Sequence, residues 1–181
     1  MTSTTPKRDG ELIELGEDQV GVRFVRRLSH PPERVWRAIT EAGELAAWFP
    51  DTIEGEFGPD AEVRFPKFVE MGLPAVGKVT DFDPPRLLAY TWGTSSLRFE
   101  LEPDGDGCRL TFTDTLPRDE SAKNAAGWEV CLENLEALLA GEEPSETGGD
   151  HWSDLHEHYA ARFEVDPEVG RQALREYGAS N

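Results

Sequence analysis

The stretch AGWEVCLENLEALLAG, residues 126–141, limits the possible folds more than any other part of the chain. Trp128, Cys131, Leu132, Leu135, Leu138 and Leu139 recur at steps of three and four residues, while Glu129, Glu133 and Glu136 fall elsewhere. That period predicts a long helix with one apolar side, beginning near Asp119 or Ser121 and stopped by Gly141. Such a stripe has to lie against another layer of structure, which the rest of the chain must supply.

Strands supply it. Residues 19–28 (QVGVRFVRRL) put Val20, Val22, Phe24 and Arg26 on one parity and Arg23, Val25 and Arg27 on the other, the period of a strand. SHPPERVWRAIT then opens a helix near Ser29 or His30, with prolines at its mouth, Glu33 in its first turn and Val35, Trp36 and Ile39 inward. ELAAWF is a second short helix, with Leu45, Trp48 and Phe49 inward and Pro50 as its stop. From 52 to 115, TIEGEF, AEVRF, AVGKVTDF, RLLAYTW, SLRFELE and CRLTFTDT read as strands bounded by Gly, Pro or Asp. PDGDG (103–107) and GTSS (93–96) are hairpin turns. Leu97, Phe99 and Leu101 alternate with Arg98, Glu100 and Glu102, as in an antiparallel sheet with one buried and one wet face.

The expected class is α+β. A curved antiparallel sheet of six to seven strands wraps a long C-terminal helix, with two short helices after the first strand. Residues 1–18 are expected to be a flexible lead-in, 19–141 the domain, 142–150 a linker and 151–181 a helical extension.

Charge narrows the partners. The 36 acidic residues against 18 basic give a formal charge of −18, which repels phosphate backbones and anionic lipid. Neither nucleic acid nor membrane is an expected partner, and RFVRRL (23–28) reads as the solvated face of a strand. No segment has the roughly 18 to 20 apolar residues of a membrane span, and residues 1–19 lack the apolar core of a secretory leader. Cys108 and Cys131 are far apart in sequence and are expected to be free thiols. A cytoplasmic location follows as the expectation.

PPERVWRAIT with ELAAWF, GKVTDFDPPRLLAYTW, LRFELEPDGDGCRLTFTDT and GWEVCLENLEALLAG occur in series. Together, over roughly residues 20–141, they resemble the family named for homologues of the Hsp90 ATPase activator. That family belongs to the START-like, or Bet v 1-like, helix-grip superfamily. The matching positions are Trp36, Trp48–Phe49, Pro84–Pro85–Arg86, Trp92 and Gly127–Trp128. The resemblance implies a sheet gripping the long helix, often around a cavity for lipids, aromatic molecules or polyketides. No cofactor is expected. A cyclase- or hydrolase-type enzyme acting in the same cavity is one alternative. A module without ligand, docking on a chaperone or on a second copy as a homodimer, is another.

The residues that would line such a cavity are Trp48, Phe49, Phe65, Phe68, Tyr90, Trp92, Phe99, Phe112 and Trp128, with Cys131 and Leu135 from the helix stripe. The same residues equally suit a solid core. KFVEMGLPAVG (67–77) reads as an unusually apolar loop, either a lip over a cavity mouth, a segment tucked on the core or an oligomer contact. No catalytic constellation stands out. Asp114 shares the inward parity of Leu110 and Phe112 and is the weak candidate for a general acid or base. His151, Asp154 and His158 lie three and four residues apart in DHWSDLHEHY, the weak candidate for a metal site.

Overall fold

The computed structural model describes residues 9–145 and 149–179, so the first eight residues and positions 146–148 of the expected linker lie outside the described residues. Seven strands form one antiparallel sheet in the order β1-β2-β7-β6-β5-β4-β3. They are β1 (Glu11–Glu14), β2 (Gln19–Leu28), β3 (Glu62–Arg64), β4 (Val76–Asp83), β5 (Leu87–Trp92), β6 (Ser95–Asp104) and β7 (Gly107–Pro117). Helices α1 (Pro32–Thr40) and α2 (Ala42–Leu45) follow β2, and α3 (Pro66–Met71) follows β3. The long α4 (Ser121–Ala140) packs on the sheet, and α5 (Gly149–Phe163) and α6 (Glu168–Ala179) complete the chain. The class is α+β with a curved sheet around a long helix, as expected.

The hairpins explain why alternation was a reliable guide. Asp104 pairs with Gly107 and Trp92 with Ser95, so each turn has two residues and starts on a glycine at positive φ, Gly105 (+59°) and Gly93 (+58°). These turns fix a register in which Leu88, Phe99, Phe112 and Phe24 stand opposite one another on four adjacent strands. All four are buried, each side chain contributing about 1.5–3 kcal/mol by leaving water. Pro32 opens α1, where its missing N–H and fixed φ are tolerated. Gly141, at φ +73°, closes α4 by turning its own amide back onto the carbonyl of Leu138 (3.1 Å).

Four expectations need correction. Residues 11–14 are not loose: ELIE forms β1, Leu12 opposite Val22 and Ile13 opposite Gly21. TIEGEF does not form a strand and touches the sheet through one bridge, Glu54 to Arg64, because Gly55 at φ +107° breaks the extended chain. KFVEM is helical, not a loop. Pro66 sits at its first turn, and Gly72 at φ +69° ends it. Arg26 is not solvated but 2 % exposed, with its guanidinium on Asp9 (2.6 Å) and its Nε 3.2 Å from Glu136.

The long helix also differs from its single-stripe image. Ala122, Ala125, Ala126, Glu129 and Val130 are buried along with Trp128, Cys131, Leu132 and Leu135. The sheet covers one side of α4, where Trp128 meets Phe112 (4.7 Å between ring centroids). On another side, Tyr159 of α5 donates its hydroxyl proton to Glu129. A helix covered from two directions cannot keep a clean amphipathic pattern. No helix among the described residues is long and apolar enough to cross a membrane.

Candidate functional site

The nine expected aromatic residues form one continuous cluster between sheet and α4. β5, β6 and β7 point Tyr90, Trp92, Phe99 and Phe112 to the same side, since inward positions recur every second residue. The chain after α2 brings in Trp48 and Phe49, whose rings lie 5.6 Å apart, and the Trp48 indole N–H is anchored on the Ala38 carbonyl at 2.8 Å. Trp128 is the hub on α4, with Phe112 at 4.7 Å, Trp92 at 5.2 Å and Phe49 at 5.7 Å. Tyr90 stacks on Phe99 at 6.1 Å and on Phe65 at 6.4 Å. Phe57 adds a contact to Tyr90 at 5.0 Å. Cys131 and Leu135 are buried in the same core. Trp36 stands apart on Phe82, in the ordinary packing of α1.

Centroid distances in this range are those of rings in direct contact, so the aromatic side chains pack on one another rather than around an open chamber. Two open recesses on the surface lie elsewhere. One is lined by Asp18, Pro117, Arg118 and Asp119 with Glu164–Asp166, the other by Glu11–Ile13, Arg23, Arg162 and Phe163.

α3 roofs one end of the cluster. Phe68, its buried residue, sits 5.0 Å from Trp92 and 5.8 Å from Phe65. Its neighbours face outward: Val69 is 56 % exposed, Met71 66 % and Leu73 41 %. The roof therefore buries one ring, is tied by the Lys67 ammonium donating to the Pro50 carbonyl (2.9 Å), and leaves its other apolar side chains in water.

Polar atoms are few here and not all are satisfied. The Tyr90 hydroxyl and the Trp92 indole N–H are buried and have no hydrogen-bond partner among the described residues. Burial pushes the Tyr90 phenol well above its ordinary range, so it remains a donor. Asp114, fully buried, accepts from the indole of Trp128 (2.8 Å) and the amide of Asn124 (3.1 Å) through Oδ2, while its Oδ1 is unpartnered among the described residues. Burial raises its carboxyl above the usual carboxylate range, opposed by the hydrogen bonds from Asn124 and Trp128 and by the nearby Ser95 hydroxyl. Burial likewise pushes the Cys131 thiol up to about 12, against the pull of Lys67, so it is no nucleophile at neutral pH. Asp51, absent from the sequence-based set, lies buried near α3 and accepts the Lys67 amide at 3.3 Å. Its signal is slight: an Asp beside Pro50 looks like any turn residue.

The histidines are arranged otherwise than proposed for a metal. His151 lies on Glu133 of α4 at 3.0 Å. His158 packs edge-on to Tyr159 at 5.3 Å, and His156 stacks flat on Trp152 at 5.1 Å. Among the described residues no group of three His, Cys, Asp or Glu side chains is placed to hold a metal ion. Correct spacing along α5 is thus overridden by what each ring packs against.

Several solved structures share this architecture. A conserved protein of unknown function from Enterococcus faecalis, EF2215, is 26 % identical with a TM-score of 0.71, covering 86 % of this chain and 91 % of its own. The protein encoded by gene BPP1335 of Bordetella parapertussis is 26 % identical with a TM-score of 0.61, covering 87 % and 92 %. CalU16 from Micromonospora echinospora, at 19 % identity and a TM-score of 0.69 over 87 % and 98 %, shares the fold. No curated protein sequence matches the chain. The sequence profile described as "Activator of Hsp90 ATPase homolog 1-like protein" matches residues 29–140, from the end of β2 to the end of α4. The chain belongs to the Activator of Hsp90 ATPase homolog 1-like family.

Proposed function

We propose that the aromatic cluster binds a small, mainly apolar ligand that enters by displacing α3 and Phe68. The supporting observation is the pair of buried donors without partners, Tyr90 and Trp92, two residues apart on the inner face of β5. A buried N–H or O–H left unpaired costs about 1–3 kcal/mol. A ligand acceptor reaching these donors would recover that energy, while the surrounding rings would cover its apolar body. α3 buries only Phe68 and is otherwise tied by two hydrogen bonds from Lys67 to Pro50 and Asp51, which makes it the proposed entry point. Cys108 and Cys131 are free thiols, which suits a reducing compartment, and the proposed setting is the cytoplasm.

Titration with the neutral dye Nile red tests this reading. Uptake is expected in wild type and should fall about two- to tenfold in Trp92→Phe, the value of one hydrogen bond. Equal uptake by wild type and Trp92→Phe, or none by wild type, refutes it. The outward apolar residues Val69, Met71 and Leu73 favour a second reading, an interaction surface for a chaperone or a second copy. Native mass spectrometry separates the two, since the first predicts a bound small molecule and the second a higher subunit count.

A further inference from the structure

Where the C-terminal extension meets α4, four separate chain segments bring ionisable groups into one buried junction. Glu129 of α4 is fully buried and accepts the hydroxyl proton of Tyr159 from α5. The same Tyr159 oxygen accepts the amide N–H of Gly10 at 3.0 Å, tying in the segment before β1. Arg26 of β2 completes the junction, clamped over Phe24 (5.5 Å) and held bidentately through Nη1 by Asp9 at 2.6 and 2.8 Å. Glu136 of α4 takes the guanidinium from another side, 3.2 Å from Nε.

The charges here do not balance. One guanidinium faces three carboxylates, and Asp9 and Glu136 already hold it. Glu129 is left with a phenol as its hydrogen-bond partner, and its Oε1 is unpartnered among the described residues. A carboxylate placed so is stable neutral and costly charged. We infer that docking of α5 and the Asp9–Gly10 segment onto α4 takes up a proton at Glu129, making the extension a latch that acidification tightens. This follows from the junction's own charges and is independent of the ligand site.

The direction follows from the groups present. Burial raises the Glu129 carboxyl from 4.5 to about 7, with Asp9 and Glu133 adding to the rise and Tyr159 and Arg26 opposing it. An open junction would return it to the ordinary value. Opening is therefore least favoured below about 4.5, grows with pH between there and about 7, and levels off above. Other titratable groups lie nearby. His151 contacts Glu133, His158 packs on Tyr159, and buried His156 faces Gly170 of α6. The charged side chains at the α6 side are paired, Arg171 with Glu157 and Arg175 with Glu168. Burial lowers the His156 imidazole below its ordinary value, so acid opposes docking through that residue.

The test must isolate Glu129 from these neighbours. Amide hydrogen exchange of residues 149–163, corrected for intrinsic rates, is measured on the full chain between pH 5 and 8 for wild type and Glu129→Gln. His151, His156 and His158 are common to both, so their contributions cancel in the ratio of opening constants. That ratio should rise about tenfold per pH unit from 5 to 7 and flatten above. A ratio independent of pH overturns the inference. If Glu129→Gln fails to fold, the carboxyl carbon resonance of Glu129 in wild type decides. A midpoint near 7 supports the latch, and one in the ordinary carboxylate range overturns it.

Discussion

Replacing Trp128 with Phe removes one indole N–H and part of one ring from the centre of the molecule. Trp128 is 3 % exposed and is surrounded by Phe49, Trp92 and Phe112. Two losses follow. The smaller ring leaves a void of roughly 40 Å³, which at about 24 cal/mol per Å³ costs about 1 kcal/mol. The second is the 2.8 Å hydrogen bond to Asp114, whose removal leaves a fully buried carboxyl with Asn124 as its remaining donor to Oδ2 and costs about 1.5–3 kcal/mol. The sum, about 2.5–4 kcal/mol, is a large share of the roughly 5–15 kcal/mol that holds a domain folded. Urea unfolding followed by circular dichroism measures it, and an unchanged slope shows that the loss is in stability alone. In an Asp114→Leu background the indole N–H of Trp128 is itself left unpaired, so Trp128→Phe removes that penalty of about 1–3 kcal/mol while opening the void of about 1 kcal/mol, and should cost nothing or stabilise. The coupling between the two sites is then at least about 2.5 kcal/mol. Equal costs in both backgrounds would refute the energetic role given to this pair.

Three further substitutions probe the roof and the extension. Gly93→Ala meets two obstacles, a positive φ of +58° and the Phe68 ring 3.2 Å from the new Cβ. It should cost about 1–2 kcal/mol and raise Nile red uptake by pushing α3 outward; unchanged uptake and melting temperature would count against the roof geometry. Phe68→Ala removes the buried contact of α3 and should speed amide exchange across residues 66–73 at least tenfold, leaving β6 and β7 unaffected. Gly170→Ala places a Cβ 2.1 Å from His156 Nε2. The overpacking should cost about 1–3 kcal/mol and appear as lost exchange protection in α6, and a variant as protected as wild type would contradict the observed packing.

Much of this was legible in the chain, for identifiable reasons. β2, β6 and β7 each bury one face and expose the other, so Phe24, Phe99 and Phe112 declare their side by alternation. Gly141 marks the end of α4 because a left-handed residue is needed there. α3 was missed because six residues are too few to show a helical period, although Pro66 before and Gly72 after it are start and stop signals. β1 was missed because ELIE carries acids at both ends, and its place is decided by pairing with β2. For the site, alternation identified the rings but not the space between them, which depends on rotamers and packing. The junction around Glu129 and Arg26 is not legible in the sequence for a further reason. Their burial depends on Tyr159, 30 residues from Glu129, and on Asp9, 17 residues from Arg26, and no local pattern reports a partner that distant.

The central claim is that a ligand reaches the unpartnered donors inside the aromatic cluster, and the chain's five tryptophans allow a direct test. A ¹H–¹⁵N spectrum resolves each indole N–H during a titration with Nile red. Trp48 and Trp128 donate to Ala38 and Asp114 and serve as internal references, whereas the Trp92 N–H has no partner among the described residues. The Trp92 resonance should move downfield and saturate with the dye's fluorescence, with smaller shifts at Trp48 and Trp128. Saturable dye binding that leaves the Trp92 resonance in place would contradict the account.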